Sequence, residues 1–137
     1  MLSIGTLSKQ VSVKVATIRY YESIGLLPQP ERTAGNQRRY SAQTRERLAF
    51  IRHARDLGFS IEAIRDLIDL YRHPESPCGA ADRIAAEQLS AVRDRIAKLR
   101  RLEAELERIA TGCKASSAGE CYVLEALGDH RLCRSEH

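Results

Sequence analysis

A chain of 137 residues with 43% apolar residues, 5% aromatics and no Trp holds one compact domain, or a small domain with a helical extension, and its modest core points to oligomerisation. No apolar run approaches the ~20 residues of a membrane span. The start, Met1-Leu2-Ser3-Ile4-Gly5, has no basic stretch leading into an apolar one, so a cytoplasmic chain with its four cysteines reduced is expected. The net charge of +4 is uneven, with ten Lys and Arg against three acids up to Arg55 and an acidic balance beyond, which places a nucleic-acid face in the N-terminal half.

Ile4 to Gln10 reads as a short helix. Val11-Ser12-Val13 is a tight link in which Ser12 is expected to cap the next helix. That helix runs from about Lys14 to Ile24 and stops at Gly25, a residue suited to the left-handed position after a helix. Val15, Ile18 and Tyr21 form its apolar face, with Lys14, Thr17, Arg19 and Tyr20 turned elsewhere. Two short helices joined by a three-residue turn fit a helix-turn-helix, whose second helix enters the major groove. Leu26-Leu27-Pro28 leads into a segment where Gly35-Asn36 reads as a hairpin turn and Arg38, Arg39 and Tyr40 lie on the returning strand. A hairpin carrying two arginines beside a recognition helix is a wing that lies along the phosphate backbone or an adjacent minor groove. Tyr40 either supplies a phosphate hydrogen bond or packs beneath the wing.

Ser41 opens a helix to about Leu57, with Leu48, Phe50 and Ile51 apolar. Gly58 ends it, and Ser60 caps the next, whose stripe of Ile61, Ile64, Leu67, Ile68 and Tyr71 reads as core. Arg52 and Arg55 either reach DNA or form a solvated face, and for Arg55 the solvated face is preferred. His53 and His73 read as structural. The breaker His73-Pro74-Glu75-Ser76-Pro77 divides a winged helix-turn-helix domain, residues 1–72, from a dimerisation helix, 78–111. Along that helix Ala85, Leu89, Val92, Ile96, Leu99, Leu102, Leu106 and Ile109 recur at steps of 4, 3, 4, 3, 3, 4 and 3 between dense charges. One narrow apolar stripe on a helix of about 30 residues calls for a dimeric coiled coil, and a dimer suits a two-fold symmetric operator. Residues 112–137 form a loop and tail, and the fold class is mainly α.

Three cysteines sit at the two ends of the long helix. Cys78 stands at its start. Cys113 follows Gly112 at its end, and Cys121 closes the small loop Lys114-Ala115-Ser116-Ser117-Ala118-Gly119-Glu120. Within one chain Cys78 and Cys113 lie roughly 45 Å or more apart, at ~1.5 Å per helical residue. In an antiparallel dimer, Cys78 of one copy meets Cys113 and Cys121 of the other. Three thiolates there select soft ions such as Cu(I), Zn and heavier thiophilic metals over Mg or Ca. The competing structural explanations are buried inert cysteines and a Cys113–Cys121 disulfide, which a reducing compartment disfavours. In the tail His130, Cys133 and His137 follow the apolar patch Val123, Leu124 and Leu127. They form a second metal site or shield the first, or, as preferred here, the patch packs on the dimer helix and the tail frays.

These features resemble the MerR family of transcription regulators over nearly the whole chain. The carriers are Ile4-Gly5, Thr17-Ile18-Arg19-Tyr20-Tyr21-Glu22, Gly25-Leu26-Leu27-Pro28, Arg32 with Gly35, Arg38 and Tyr40, Leu57-Gly58-Phe59-Ser60, and the cysteine-bearing helix. The resemblance implies a homodimer with winged-helix DNA-binding domains and an antiparallel coiled coil, sitting on double-stranded promoter DNA whose spacer is too long for RNA polymerase. An inducer makes the dimer bend and untwist that DNA, so that polymerase is served indirectly. Thr17, Arg19 and Tyr20 would contact DNA from the recognition helix and Arg38 and Tyr40 from the wing, with Lys14 and Arg39 beside them.

Cys78, Cys113 and Cys121 match the metal ligands of the metal-sensing branch. Members specific for monovalent ions carry Ser where this chain has Cys78, so a divalent thiophilic inducer (Hg, Pb, Cd or Zn) is expected. The short loop spacing is also seen in copper sensors, and the loop lacks the extra Cys and His of zinc sensors. The iron–sulfur branch needs four clustered cysteines that are not present. The alternatives are a Cu(I)-type sensor, a thiol redox or electrophile sensor on the same frame, and a metal-sequestering protein with incidental DNA binding. No carboxylate pair, nucleophile–base arrangement or phosphate loop suggests an enzyme.

Overall fold

The computed structural model describes residues 1–112 and 122–128. Among these the chain order is α1 (Ile4–Val11), α2 (Val15–Ser23), β1 (Glu31–Arg32), β2 (Arg38–Arg39), α3 (Ala42–Asp56), α4 (Ile61–Tyr71), α5 (Gly79–Gly112) and α6 (Tyr122–Gly128). The chain divides into two units, Met1–Ile84 and Ala85 onward, so α5 begins in the first unit, with Gly79–Ile84. The Cys113–Cys121 loop and the tail with His130, Cys133 and His137 lie outside the described residues.

In the first unit, Leu7 and Val11 of α1, Ile18 and Tyr21 of α2, Leu48, Ile51 and Ala54 of α3, and Ile64 and Ile68 of α4 converge with Leu26, Leu27 and Tyr40 on one core. Each set recurs at three- and four-residue steps, the helical period of a one-sided apolar face. α1 packs on α2 and α3, and α3 on α4. Serine caps start three of the helices. Ser3, Ser41 and Ser60 accept hydrogen bonds from the N–H groups of Thr6, Thr44 and Ala63, each cap stabilising its helix by about 1 kcal/mol. Gly25 and Gly58, at φ +76° and +85°, turn the chain after α2 and α3 in a region that disfavours a Cβ.

Ser12 does not cap α2. It closes α1 in the left-handed conformation, φ 59°, with its N–H on Ser8 O, and α2 starts at Lys14 without a side-chain cap. The Val13 N–H also reaches Ser8 O at 3.2 Å, while Ser8 Oγ donates to Val13 O at 2.6 Å. The tight turn between the two helices therefore uses its backbone to satisfy the end of α1, and Ser12 Oγ is not available to α2.

The hairpin pairs Glu31 with Arg39 and Arg32 with Arg38, antiparallel. Its tip closes through Thr33 N–H to Gln37 O and Asn36 N–H to Thr33 O, both 2.8 Å, with Asn36 at φ 63°. Leu2 bridges to Tyr40, so the N-terminal segment borders the returning strand.

Tyr71, expected in the core, is 77% exposed and rests its ring against Phe50, centroids 5.6 Å apart. It is the last residue of α4, past the turns that Ile64 and Ile68 bury.

α5, most of which lies in the second unit, is an unbroken helix of 34 residues, about 50 Å long. Its buried residues are Glu105 and Ile109. Glu105 accepts an ion-paired hydrogen bond from Arg108 at 2.6 Å. Leu89, Ile96, Leu99 and Leu106 of the expected seam are exposed, whereas Ile109, the last member assigned to it, is buried within the chain. In α6 only Ala126 is buried among the side chains described. Leu124 and Leu127, expected to pack on the dimer helix, are exposed within a single chain. No helix among the described residues is long and apolar enough to cross a membrane.

Candidate nucleic-acid interface and metal centre

Burial of Ile18, Tyr21 and Glu22 fixes the rotation of α2 about its axis. With that face inward, Arg19 and Tyr20 are exposed, Thr17 is half-buried, and Lys14 is exposed at the N-cap. Arg65 of α4 donates to Ile24 O at 2.8 Å, satisfying an end carbonyl of α2 and placing a cation where the helix dipole favours one. The recognition helix is thus held at its core face and at its C-terminus.

Arg38 and Arg39 are half-buried on the wing. Together with Arg19, Arg32, Ser3, Ile4 and Gln37 they line a depression of about 390 Å³ between the wing, α2 and the start of α1. Four guanidinium groups around one depression, with no carboxylate lining it, make a local positive field suited to phosphate oxygens. Sequence reading left Arg32 out of the site. Arg32 donates to Asn36 O at 3.1 Å and reaches Asn36 Oδ1 at 3.4 Å, so it also braces the hairpin tip. Its register opposite Arg38 was the signal that pointed to it.

Tyr40 is only 1% exposed, and its hydroxyl donates to the buried Glu22 carboxylate. Of the two roles considered for it, packing beneath the wing is the one it fills, and the depression above is formed without it. Burial pushes its phenol well above the ordinary tyrosine range, and the hydrogen bond and charge of Glu22 add to that. The guanidiniums of Arg38 and Arg19 oppose the shift. Glu22 was read only as part of a motif, yet it lies one helical turn after Ile18, on the face that goes inward.

Arg52 lies 3.9 Å from Asp56, and Arg55 donates to Phe59 O at 2.7 Å, closing the turn after its own helix. His73 Nδ1 sits 2.8 Å from Asp69 O.

Cys78 is exposed and unpaired by any disulfide. Its carbonyl accepts the Asp82 N–H at 3.0 Å, which places it at the cap of α5, and its thiol donates to Asp82 Oδ1 at 3.8 Å. An accessible thiol with a carboxylate beside it is a donor set that fits a soft or borderline divalent ion. Among the described residues no three His, Cys, Asp or Glu side chains gather in one chain as a metal site.

The chain matches the family described as MerR HTH family regulatory protein over residues 2–70, and the one described as MerR, DNA binding over residues 45–109. It is 42% identical over 130 residues to the HTH-type transcriptional regulator ZntR of Escherichia coli, covering 93% of this chain and 92% of that protein. It is 35% identical over 136 residues to the mercuric resistance operon regulatory protein of Shigella flexneri, covering 98% and 93%. The solved structure of the transcription regulator PbrR691 from Ralstonia metallidurans in complex with lead(II) superimposes with a TM-score of 0.80 at 38% identity, covering 93% of this chain and 99% of that one.

Proposed function

The chain belongs to the MerR family of DNA-binding transcription regulators, a regulator and not an enzyme, and from that premise we propose that it is a homodimeric metal sensor that activates metal-resistance or efflux genes when a divalent thiophilic ion (Hg, Pb, Cd or Zn) binds. The reading is carried by Cys78, an exposed thiol at the head of a 34-residue helix whose apolar seam is uncovered. Two copies packed antiparallel along that seam would bring Cys78 of one beside the partner's Cys113 and Cys121. The mercuric resistance relative and the lead-bound neighbour support a thiophilic ion as inducer.

At the other end, Lys14, Thr17, Arg19 and Tyr20 of the recognition helix would face the major groove, and Arg38 and Arg39, with Arg32, would hold the phosphate backbone. Thiolate coordination across the dimer reweights two arrangements of the paired DNA-binding units, and the promoter DNA bends and untwists with them, so that RNA polymerase engages both of its elements. Replacing Arg19 with Ala weakens operator binding by about 1–3 kcal/mol if it reads a base edge, measured by titration at fixed salt.

The deciding experiment titrates reduced protein with Hg, Pb, Cd, Zn and Cu(I), following thiolate charge-transfer absorbance for wild type and Cys78→Ser. Tight divalent binding that collapses without Cys78 is expected. Preferred Cu(I) binding indifferent to Cys78 would move the protein to the monovalent branch, and no tight binding at all would favour a thiol redox sensor.

A further inference from the structure

The recognition helix and the wing are attached to the first unit in different ways. α2 buries Ile18 and Tyr21 in the core and packs on α1. The wing is a hairpin of two short strands, exposed at Glu31 and Arg32 and half-buried at Arg38 and Arg39. Among the described residues Tyr40, which follows β2, is the one hairpin residue in the buried core. Leu2 holds its backbone through two hydrogen bonds of 2.8 Å. Its hydroxyl donates to Glu22 on α2, and both side chains are buried.

The pair stands behind the positive depression. Arg19 comes one helical turn before Glu22, and Arg38 two residues before Tyr40. Both guanidiniums also act on the buried phenol. Burial and Glu22 raise it, while Arg38 and Arg19 pull it down, so both cations stand close to the pair. One side of the depression is therefore carried by the helix that bears Glu22, and the other by the strand that runs into Tyr40.

Stability alone gives no reason for a carboxylate and a phenol here. Burying a carboxylate is costly, and an apolar pair of the same shape is close to neutral in its place. What the polar pair adds is direction. Apolar contact lets one surface slide on another, whereas a hydrogen bond to a carboxylate holds one separation and one angle.

We propose that Glu22 and Tyr40 are positioning residues of the DNA interface: their buried hydrogen bond sets the wing against the recognition helix, so that Arg19 on one and Arg38 and Arg39 on the other engage one duplex together. The proposal rests on the DNA-contact reading above. Neither residue touches DNA. Phosphates along a duplex are fixed in spacing, and the arginines meet them only if their own separation is fixed as well.

The test uses the full-length protein and a duplex that the wild type selects from a random-sequence pool, with a scrambled duplex as control. Binding is read by fluorescence anisotropy at a temperature where every variant is folded. Tyr40→Phe is expected to weaken the selected duplex about tenfold and to lower the slope of log K against log salt by about 1–2, as the wing arginines leave their phosphates. Glu22→Gln, which keeps an acceptor for the hydroxyl, stays close to wild type. The apolar pair, Glu22→Met with Tyr40→Phe, recovers melting temperature over Tyr40→Phe but not affinity. Arg38→Ala costs less affinity in the Tyr40→Phe background than in wild type. Affinity that returns with melting temperature in the apolar pair would overturn the proposal, as would full additivity of Tyr40→Phe with Arg38→Ala. If Arg19→Ala and Arg38→Ala weaken binding and Tyr40→Phe does not, the positioning role falls and the DNA-contact reading stands. If none of the three weakens binding, both fall.

Discussion

Leu7, Ile18, Leu48, Ile51 and Ile64 of the first unit are each completely buried, whereas Leu89, Leu99 and Leu106 of α5 are 49%, 63% and 64% exposed. Both groups are large aliphatic side chains at helical spacing, so composition does not separate them. The difference is closure. Four short helices and a hairpin surround one centre and cover each other's apolar faces within the chain. Among the described residues a single 34-residue helix has nothing of comparable length to lie against. At about 25 cal/mol per Å² of apolar surface, the open stripe is a standing drive toward cover by another apolar surface, in the proposed dimer a second copy. One unit closes its own core and carries the arginines proposed to hold DNA. The other leaves its apolar stripe open, the feature on which the proposed dimer rests.

The largest expected effect breaks the open side of this contrast. Leu99→Glu sets a charge in the middle of the seam and gives monomers by sedimentation or light scattering, with operator binding reduced because two half-sites are no longer held together. The helical content of the first unit is unchanged. A surviving dimer would show that the seam runs elsewhere on α5.

The closed side breaks differently. Leu48→Ala removes a fully buried side chain from α3 and costs about 2–5 kcal/mol through lost burial and the cavity left behind. Thermal unfolding of the full chain reads this as a lower transition for the first unit. The metal binding proposed at Cys78 is expected to persist at temperatures below that transition.

These two positions also show what could be read in advance. Leu48, Ile51, Ile64 and Ile68 follow from periodicity because a one-sided helix in a self-contained unit has one place to put its apolar face. Periodicity assigns Ile109 to the seam just as firmly, yet the structure buries it within the chain, since spacing says that a residue is covered and not by what. Tyr40 was ambiguous for another reason. Its role depends on Glu22, eighteen residues earlier, and on a hairpin that brings the two together. Arg65 on Ile24 O, 41 residues apart, is of the same kind. Long-range polar partners leave no periodic trace, so the positive depression was legible as charge but not as geometry.

Tyr40→Phe sharpens the account of the closed unit. It leaves the buried Glu22 carboxylate without its donor, at a cost of about 1–3 kcal/mol. The pH dependence adds a second signature. In the folded protein the phenol ionises well above its ordinary value of 10.0, so the stability contributed by the protonated hydroxyl is fully present below about pH 10. It is lost as pH rises from there toward the folded-state value. Wild type therefore loses stability steeply in strong alkali, and Tyr40→Phe lacks that component. Parallel alkaline profiles for the two proteins would remove Tyr40 as the titrating group.

The smallest effect separates two roles of one serine. Were Ser12 the cap of α2, Ser12→Gly would destabilise by a few tenths of a kcal/mol, because Gly retains most of the preference for a cap position without the side-chain acceptor. In the structure Ser12 instead closes α1 at φ 59° and ψ 45°, where a Cβ costs roughly 1–2 kcal/mol. Gly removes that cost and returns part of it as greater freedom of the unfolded chain, roughly 0.5–1 kcal/mol. The net expectation is a small gain, up to about 1 kcal/mol, in denaturant unfolding. Ser12→Val, branched at Cβ and strongly disfavoured in the left-handed region, moves the midpoint the other way. The sign of the Gly substitution decides whether the turn between the two DNA-binding helices is held by a side-chain cap on α2 or by the backbone at the end of α1.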